Sequence, residues 1–174
     1  MAWHIGKWKP VYVPQWYSPF VSQHPFDPYS FTHILHGVLL FYVWHWFGLY
    51  PTTGFLAMFV FELTWEIAEN SEKAIERYRQ TSGTSADYEG DSLQNILGDL
   101  TACQTGYMVS WAFVAIGMAW LSLLFYLVTE ICLLIYMRDC LTITFLTLIF
   151  PNEKISKWQN EGVIKAREEE KKSK

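Results

Sequence analysis

FTHILHGVLLFYVWHWFGLY, residues 31–50, carries no Asp, Glu, Lys or Arg. At about 1.5 Å per residue the stretch covers roughly 30 Å, the hydrocarbon core of one bilayer. Pro51 and Gly54 follow as turn signals. Residues 52–69, TTGFLAMFVFELTWEIAE, are apolar in their first half and hold three carboxylates in their second. Residues 92–113 give a third apolar span with Asp99 inside it. Residues 115–136 give a fourth with Glu130 inside it, separated from the third by Gly117. The expected fold class is therefore all-α, a polytopic membrane protein with four transmembrane helices in a bundle over residues 31–150.

The flanks are different in kind. Residues 1–30 hold five of the seven prolines and the aromatics Trp3, Trp8, Tyr12, Trp16, Tyr17, Phe20, Phe26 and Tyr29. Proline at this density prevents a continuous helix, and no apolar run of signal-peptide length occurs here. The segment reads as an extended interfacial arm, because Trp and Tyr favour places where a ring sits in lipid and its polar edge stays wet. Residues 70–91 form a polar loop, helical in pattern at first and then irregular through SGTSADYEG. LTITFLTLIF, residues 141–150, is too short to cross alone and reads as a re-entrant or interfacial piece. The charged tail, 151–174, spaces Ile155, Trp158, Val163 and Ile164 as a loose apolar stripe, which points to a short amphipathic interfacial helix.

Charge and composition narrow the classes of function. Apolar residues make up 51% and charged residues 17% of the 174, against about a quarter charged in soluble domains. That content of apolar and aromatic residues excludes a disordered chain. A net charge of −4 with no basic stripe argues against a nucleic-acid partner. The cysteines, Cys103, Cys132 and Cys140, are odd in number and lie in apolar runs, so no disulfide framework is expected. With four spans, all 13 Lys and Arg residues fall on one side together with both ends of the chain. The positive-inside rule places that side in the cytoplasm or matrix.

The same side collects the polar residues that carry chemistry. His33 and His36 are three apart at the start of span one, and Glu62, Glu66 and Glu69 share one face at the end of span two. Asp91, Asn95 and Asp99 are four apart at the start of span three, and Arg138 and Asp139 close span four. Carboxylates at the C-terminal end of a helix oppose its dipole, so a cation, a proton or a metal must offset them. Ionisable residues inside a membrane are costly and raise a functional hypothesis by default. Four readings stay open. Arg77, Arg79 and Arg138 neutralise the acids in a structural network. His33, His36, Glu66, Glu69 and Asp91 bind zinc, iron or manganese. Arg77 and Arg79 clamp the phosphate of a bound phospholipid, with a His as acid or base. Or the set carries protons. No Glu-x-x-His pair, Gly-rich phosphate loop, CxxC or HExxH is present. Ser22 and Ser71 lack a triad context. Trp44, His45 and Trp46 read as an aromatic belt at the other interface.

The strings SQH (22–24) with Asp27 and Tyr29, HILHG (33–37), WEIAENS (65–71), IERYR (75–79), DYEGDSLQN (87–95), Asp99, RDCLT (138–142) and KISKWQ (154–159) go further. Over residues 20 to 160 the chain resembles an uncharacterised inner-membrane family of alphaproteobacteria, filed as a domain of unknown function. More distantly the layout is similar to VanZ-like membrane proteins. The resemblance implies no known reaction. Family members carry a further apolar segment ahead of the Trp-rich region, which would place the polar face outside the cytoplasm, and Asn where this chain has Cys140.

Two functions follow as expectations. One is a non-catalytic accessory subunit of a respiratory-type inner-membrane complex, mitochondrial or bacterial. It would contact the bilayer directly and its partner subunits through the 1–30 arm and the 151–174 tail. The other is a membrane-embedded enzyme, or a protein binding a metal or a lipid headgroup through the His, Glu, Asp and Arg cluster. No cofactor is required by the sequence; a phospholipid or a metal ion fits it. Cysteine-accessibility labelling of the two ends of the chain should place both on one side of the membrane. Labelling from opposite sides would mean that 141–150 also crosses, or that spans three and four are one.

Overall fold

The computed structural model describes residues 9–18 and 20–173; residues 1–8, Pro19 and Lys174, with the arm's Trp3 and Trp8, lie outside the described residues. Among the described residues there are seven helices and no strand. They are α1 (Ser30–Trp46), α2 (Pro51–Glu69), α3 (Glu72–Thr81), α4 (Leu93–Ala115), α5 (Ala119–Met137), α6 (Leu141–Ile149) and α7 (Glu153–Ser173).

Local chemistry sets the boundaries. α1 stops at Trp46, short of the expected 50, because the chain turns through Gly48 at φ 74°. Pro51 opens α2 in the first turn, where its missing N–H costs nothing. Ser71 and Ser92 cap α3 and α4 by accepting the Ala74 and Asn95 N–H groups at 3.3 and 3.2 Å. The break between α4 and α5 falls at Gly117, φ 75°, a conformation that glycine adopts without strain. α6 has no side-chain cap at Cys140. Instead the Glu130 carboxylate, from one turn and more back in α5, accepts the Leu141 and Thr142 N–H groups at 2.9 and 3.1 Å. A negative charge on the N-terminus of a helix is well placed.

α1 is the central helix. α4 runs parallel to it, with Gly106 pressed on the Ile34 backbone and Gly37 on Cys103 and Tyr107. α2 and α5 run antiparallel to it: Gly54 meets Trp44, and the Tyr42 hydroxyl reaches the Ala119 carbonyl at 2.9 Å and also bonds Ser122. The start of α1, the end of α2 and the start of α4 therefore meet at one end of the bundle.

The arm and the tail lie on their own chain. The Val13 N–H donates to the Phe26 carbonyl and the Phe26 N–H to the Val11 carbonyl, which folds the arm back on itself, and the Tyr136 hydroxyl donates to the Pro14 carbonyl. Gly98 packs against Pro25, and Asn95 donates to the His24 carbonyl. In α7, Gly162 sits against Arg138, Val163 is buried, and Gln159 accepts the Gly83 N–H at 3.0 Å. The arm and the tail, the expected contacts to partner subunits, pack in the described residues against this chain.

Burial runs against the soluble pattern. Glu62, Glu66, Asn95 and Gln159 are almost fully enclosed, while Leu56, Val60, Leu127, Ile131 and Ile135 are exposed. Among the described residues, α5 alone is long and apolar enough to cross a membrane by length and composition, so one of the four expected spans meets that condition. α1 has only 17 residues, and the Glu residues of α2 and the polar start of α4 lower their apolar character.

A Cβ added at Gly37 or Gly106 would overlap the facing helix backbone, at the Cys103 and Ile34 carbonyls. Backbone cannot yield as a side chain can. Gly37→Ala and Gly106→Ala should each destabilise the bundle by about 3 kcal/mol, the upper end for overpacking. Thr105→Ala, on the exposed face of α4, should stay within about 0.5 kcal/mol. Thermal unfolding in detergent micelles checks both.

Candidate functional site

The helical spacings deliver most of the expected set to one place. The first turn and a half of α1 supplies His33 and His36, and the last two turns of α2 supply Glu62, Glu66 and Glu69. Asp91 comes from the residue pair ahead of α4, and Asp99 from its second turn. Glu62 is the organiser. Its Oε1 accepts from His33 Nδ1 at 2.6 Å and lies 3.2 Å from His36 Nδ1. An Nδ1 that donates to a carboxylate leaves Nε2 as the free ring nitrogen. His33 Nε2 faces Asp99 Oδ2 at 3.8 Å. The two imidazoles meet edge to face at 5.1 Å, and His36 stacks on Phe145 with Trp65 at its edge.

Three groups of ligand atoms converge to within 4.8 Å of one another: His33, His36 and Glu62; His33, Glu66 and Asp99; Glu66, Glu69 and Asp91. Several of these atoms are buried with no hydrogen-bond partner, namely His36 Nε2, both Glu66 oxygens, Glu69 Oε2 and Asp99 Oδ1. Buried polar atoms are nearly always paired, so such orphans call for an explanation. Among the described residues no Lys or Arg is ion-paired with Glu62, Glu66, Glu69, Asp91 or Asp99; the ion pairs of the basic side chains are Lys165 with Glu169 and Arg167 with Asp87.

The arginines expected in this cluster are elsewhere. Arg77 donates through Nε and Nη2 to the Leu148 carbonyl, at 3.1 and 2.8 Å. Arg79 donates to the Tyr88 carbonyl at 2.6 Å. Arg138 donates to the Trp158 carbonyl and lies over the Trp158 ring. The Leu148 carbonyl lies in the last turn of α6, where it lacks a partner within its own helix, and Arg77 satisfies it. Among the described residues these arginines therefore form no ion-paired network with the acids. Asn95 also leaves the cluster, because its side chain fastens the arm at His24.

Asp139 shares the neighbouring space but not the ligand groups. Its oxygens accept the Thr84 hydroxyl at 2.7 Å, the Cys140 N–H at 2.9 Å and the Thr144 hydroxyl at 3.1 Å. Burial nevertheless pushes its carboxyl up to about 6, against the pull of those bonds. Burial also raises Asp91, against bonds from Tyr88 and Asn70 at 2.8 Å each. Sequence reading missed Asn70, Tyr88 and Thr84 as supporting residues. The strings WEIAENS and DYEGDSLQN hold the first two, but the Asn70–Asp91 bond across 21 positions is a tertiary contact.

A cavity of about 630 Å³ opens beside the cluster. His33, His36, Glu69, Asp91, Asp99 and Asp139 line it on the polar side, and Trp16, Trp65, Tyr78 and Phe145 on the aromatic side. Its basic lining residues are Lys9 and Arg167. Arg167 joins the Tyr17 carbonyl of the arm to Asp87 of the loop at 2.9 and 2.8 Å.

The chain is thus an all-helical protein built round an enclosed His and carboxylate cluster at one end of a bundle. It belongs to the family described as Protein of unknown function (DUF2585), whose model matches residues 3–161. It is 36% identical over 141 residues to a UPF0314 protein of Brucella anthropi, covering 80% of this chain and 69% of that one. Over 148 residues it is 36% identical to one from Paracoccus denitrificans, with 79% and 70% covered. Over 152 residues it is 34% identical to the Agrobacterium fabrum protein Atu8092, with 86% and 74% covered. These relatives support the alphaproteobacterial family, and a VanZ-like affiliation is not shown. No solved structure matches the chain.

The sign of the Asp139 effect is definite. Its folded value, about 6, lies above the ordinary 3.8. Folding therefore favours its protonated form, and the stability it contributes at acid pH is lost as pH rises from about 4 through 6. Relative to Asp139→Asn, the wild type should lose about 2 kcal/mol between pH 4 and pH 7. Unfolding of both proteins across that range, in one detergent, measures the difference.

Proposed function

We propose that this protein is a multi-pass membrane protein that binds a divalent metal ion through His33, Glu66 and Asp99 within the polar end of its bundle. One observation carries the reading. Glu66 is 1% exposed, neither of its oxygens accepts a hydrogen bond, and it faces Asp99 and His33, whose Nδ1 lies 3.4 Å from Oε1, with no Lys or Arg paired to any of them. An uncompensated buried carboxylate is among the costliest groups a fold can hold. A cation removes that cost, and a mixed His and carboxylate set suits zinc, iron or manganese. Glu62 then acts as the outer carboxylate that fixes the tautomer of the ligating imidazole.

Membrane insertion has separate support. The outward faces of α2, α4 and α5 present Leu56, Val60, Met108, Leu127 and Ile135, and exposed apolar surface of this extent needs an apolar neighbour. With α1, α2, α4 and α5 alternating in direction, all four would cross and the acidic end would lie in one leaflet, where ionisable groups turn to the interior. The accessory-subunit alternative has less to stand on, since the described arm and tail are engaged with their own chain.

Full-length protein purified from membranes in detergent without chelators should contain a transition metal by mass spectrometry. His33→Ala and Glu66→Gln should each lower the metal bound per chain. Glu62→Gln should retain the site but lower its affinity about 10–100-fold. Trace metal that is indifferent to all three substitutions would overturn the reading.

A further inference from the structure

Glu66 belongs to two ligand groups at once. With His33 and Asp99 it forms one, and with Glu69 and Asp91 another, each set of atoms lying within 4.8 Å. Neither of its oxygens accepts a hydrogen bond, and Oε1 lies 3.4 Å from His33 Nδ1. A carboxylate with two free oxygens, flanked on each side by further ligands, has the form of a bridge between two cations.

We propose that the cluster is a dinuclear site. One divalent cation lies on His33, Asp99 and Glu66, and a second on Glu66, Glu69 and Asp91, with Glu66 bridging them. The proposal rests on the metal-binding reading above and extends it to a second ion.

Charge supports two ions over one. Glu66, Glu69, Asp91 and Asp99 form four adjacent carboxylates, and Glu62 is committed to the two histidines. The nearby guanidinium groups are spent on carbonyls at Leu148, Tyr88 and Trp158. One divalent cation would leave two negative charges in an enclosed space, whereas two would balance all four. The second group also has the outer shell expected of a ligand set. Asp91 Oδ2 accepts from Asn70 Nδ2 and the Tyr88 hydroxyl at 2.8 Å each, and the Asn70 Oδ1 takes the Asp91 N–H at 2.6 Å. Such bonds orient a ligating carboxylate. Finally, the cavity of about 630 Å³ is lined by Glu69, Asp91, Asp99 and His33, so both ions would have a face open to it. Paired metals about 3.5–4 Å apart commonly hold a bridging water or oxyanion between them.

The test uses full-length protein in detergent, stripped with a chelator and reloaded with Mn²⁺, with bound metal counted by mass spectrometry and the spin signal read by electron paramagnetic resonance. Wild type should bind two ions per chain with an exchange-coupled spectrum. The double variant Glu69→Gln/Asp91→Asn should bind one ion with the six-line signal of isolated Mn²⁺, and so should His33→Ala/Asp99→Asn. Circular dichroism and gel filtration of each variant separate loss of metal from loss of fold, and the wild-type count stands whatever the variants do. One ion per chain in wild type, unchanged by Glu69→Gln/Asp91→Asn, would overturn the second site and leave the first standing. Two ions without coupling would overturn the bridge. No ion at all would overturn this proposal and the metal-binding reading together.

Discussion

Everything at the polar end depends on how closely α1 and α4 approach. Gly37 on one helix and Gly106 on the other each press on the facing backbone. Without side chains at the crossing, the two backbones lie within reach of weak Cα–H···O contacts and extensive dispersion, which is how helices associate when no hydrophobic force separates them from lipid. Because α4 runs parallel to α1, the crossing fixes the register of their starts. His33 thereby arrives opposite Asp99. α2 is carried in antiparallel by the 47–50 turn, and Glu62 meets both histidines one turn from the crossing. Gly98, Ala102 and Gly106 lie four apart on α4. The outer one of this series admits the Pro25 carbonyl of the arm where the middle of the helix admits α1.

The electrostatic consequence is unusual. Acids at the end of α2 oppose that helix's dipole, while Asp91 and Asp99 at the start of α4 agree with theirs. The disfavoured and the favoured carboxylates are brought to one point, so the dipoles do not resolve the excess of negative charge. Neither do the basic residues. Arg77 bonds the end of α6 instead, and Arg79 and Arg138 bond carbonyls of the 82–91 loop and of α7. The protein therefore separates two tasks that a sequence reader naturally joins: its guanidinium groups hold backbone, and its carboxylates remain together.

Legibility followed the range of the interaction. The His33/His36 and Glu62/Glu66/Glu69 faces, and the approach of Asp99, were readable because helical periodicity alone sets them. The break at Gly117 was readable for a similar local reason. The arginine assignments were not, because a guanidinium chooses between a carboxylate and an unpaired carbonyl according to tertiary geometry that spacing does not encode. The Glu130 cap of α6 was hidden too: it reaches Leu141 and Thr142 from eleven and twelve residues away. The family strings were visible as strings, but their meaning lies in pairs of them. SQH docks on DYEGDSLQN through Ser22, Gln23 and His24, which bond Ser92, Gly90 and Asn95.

That docking explains why a proline-rich arm accompanies a polar cluster. Asp27 accepts the Ser22 N–H at 2.8 Å and the Tyr29 N–H at 2.7 Å, holding the arm in a turn that starts α1. The arm then runs past the start of α4 and under Arg167, which ties Tyr17 to Asp87. Proline removes the competing helix and leaves carbonyls unsatisfied; Asn95, Tyr136 and the His24 ring bond carbonyls at His24, Pro14 and Pro10. An amphipathic helix in this position would present one face only. An extended arm follows the rim of the cavity closely, so the carboxylates are enclosed while the space beside them is kept. Enclosure without filling is what a buried ion site requires if its ions are also to be reached.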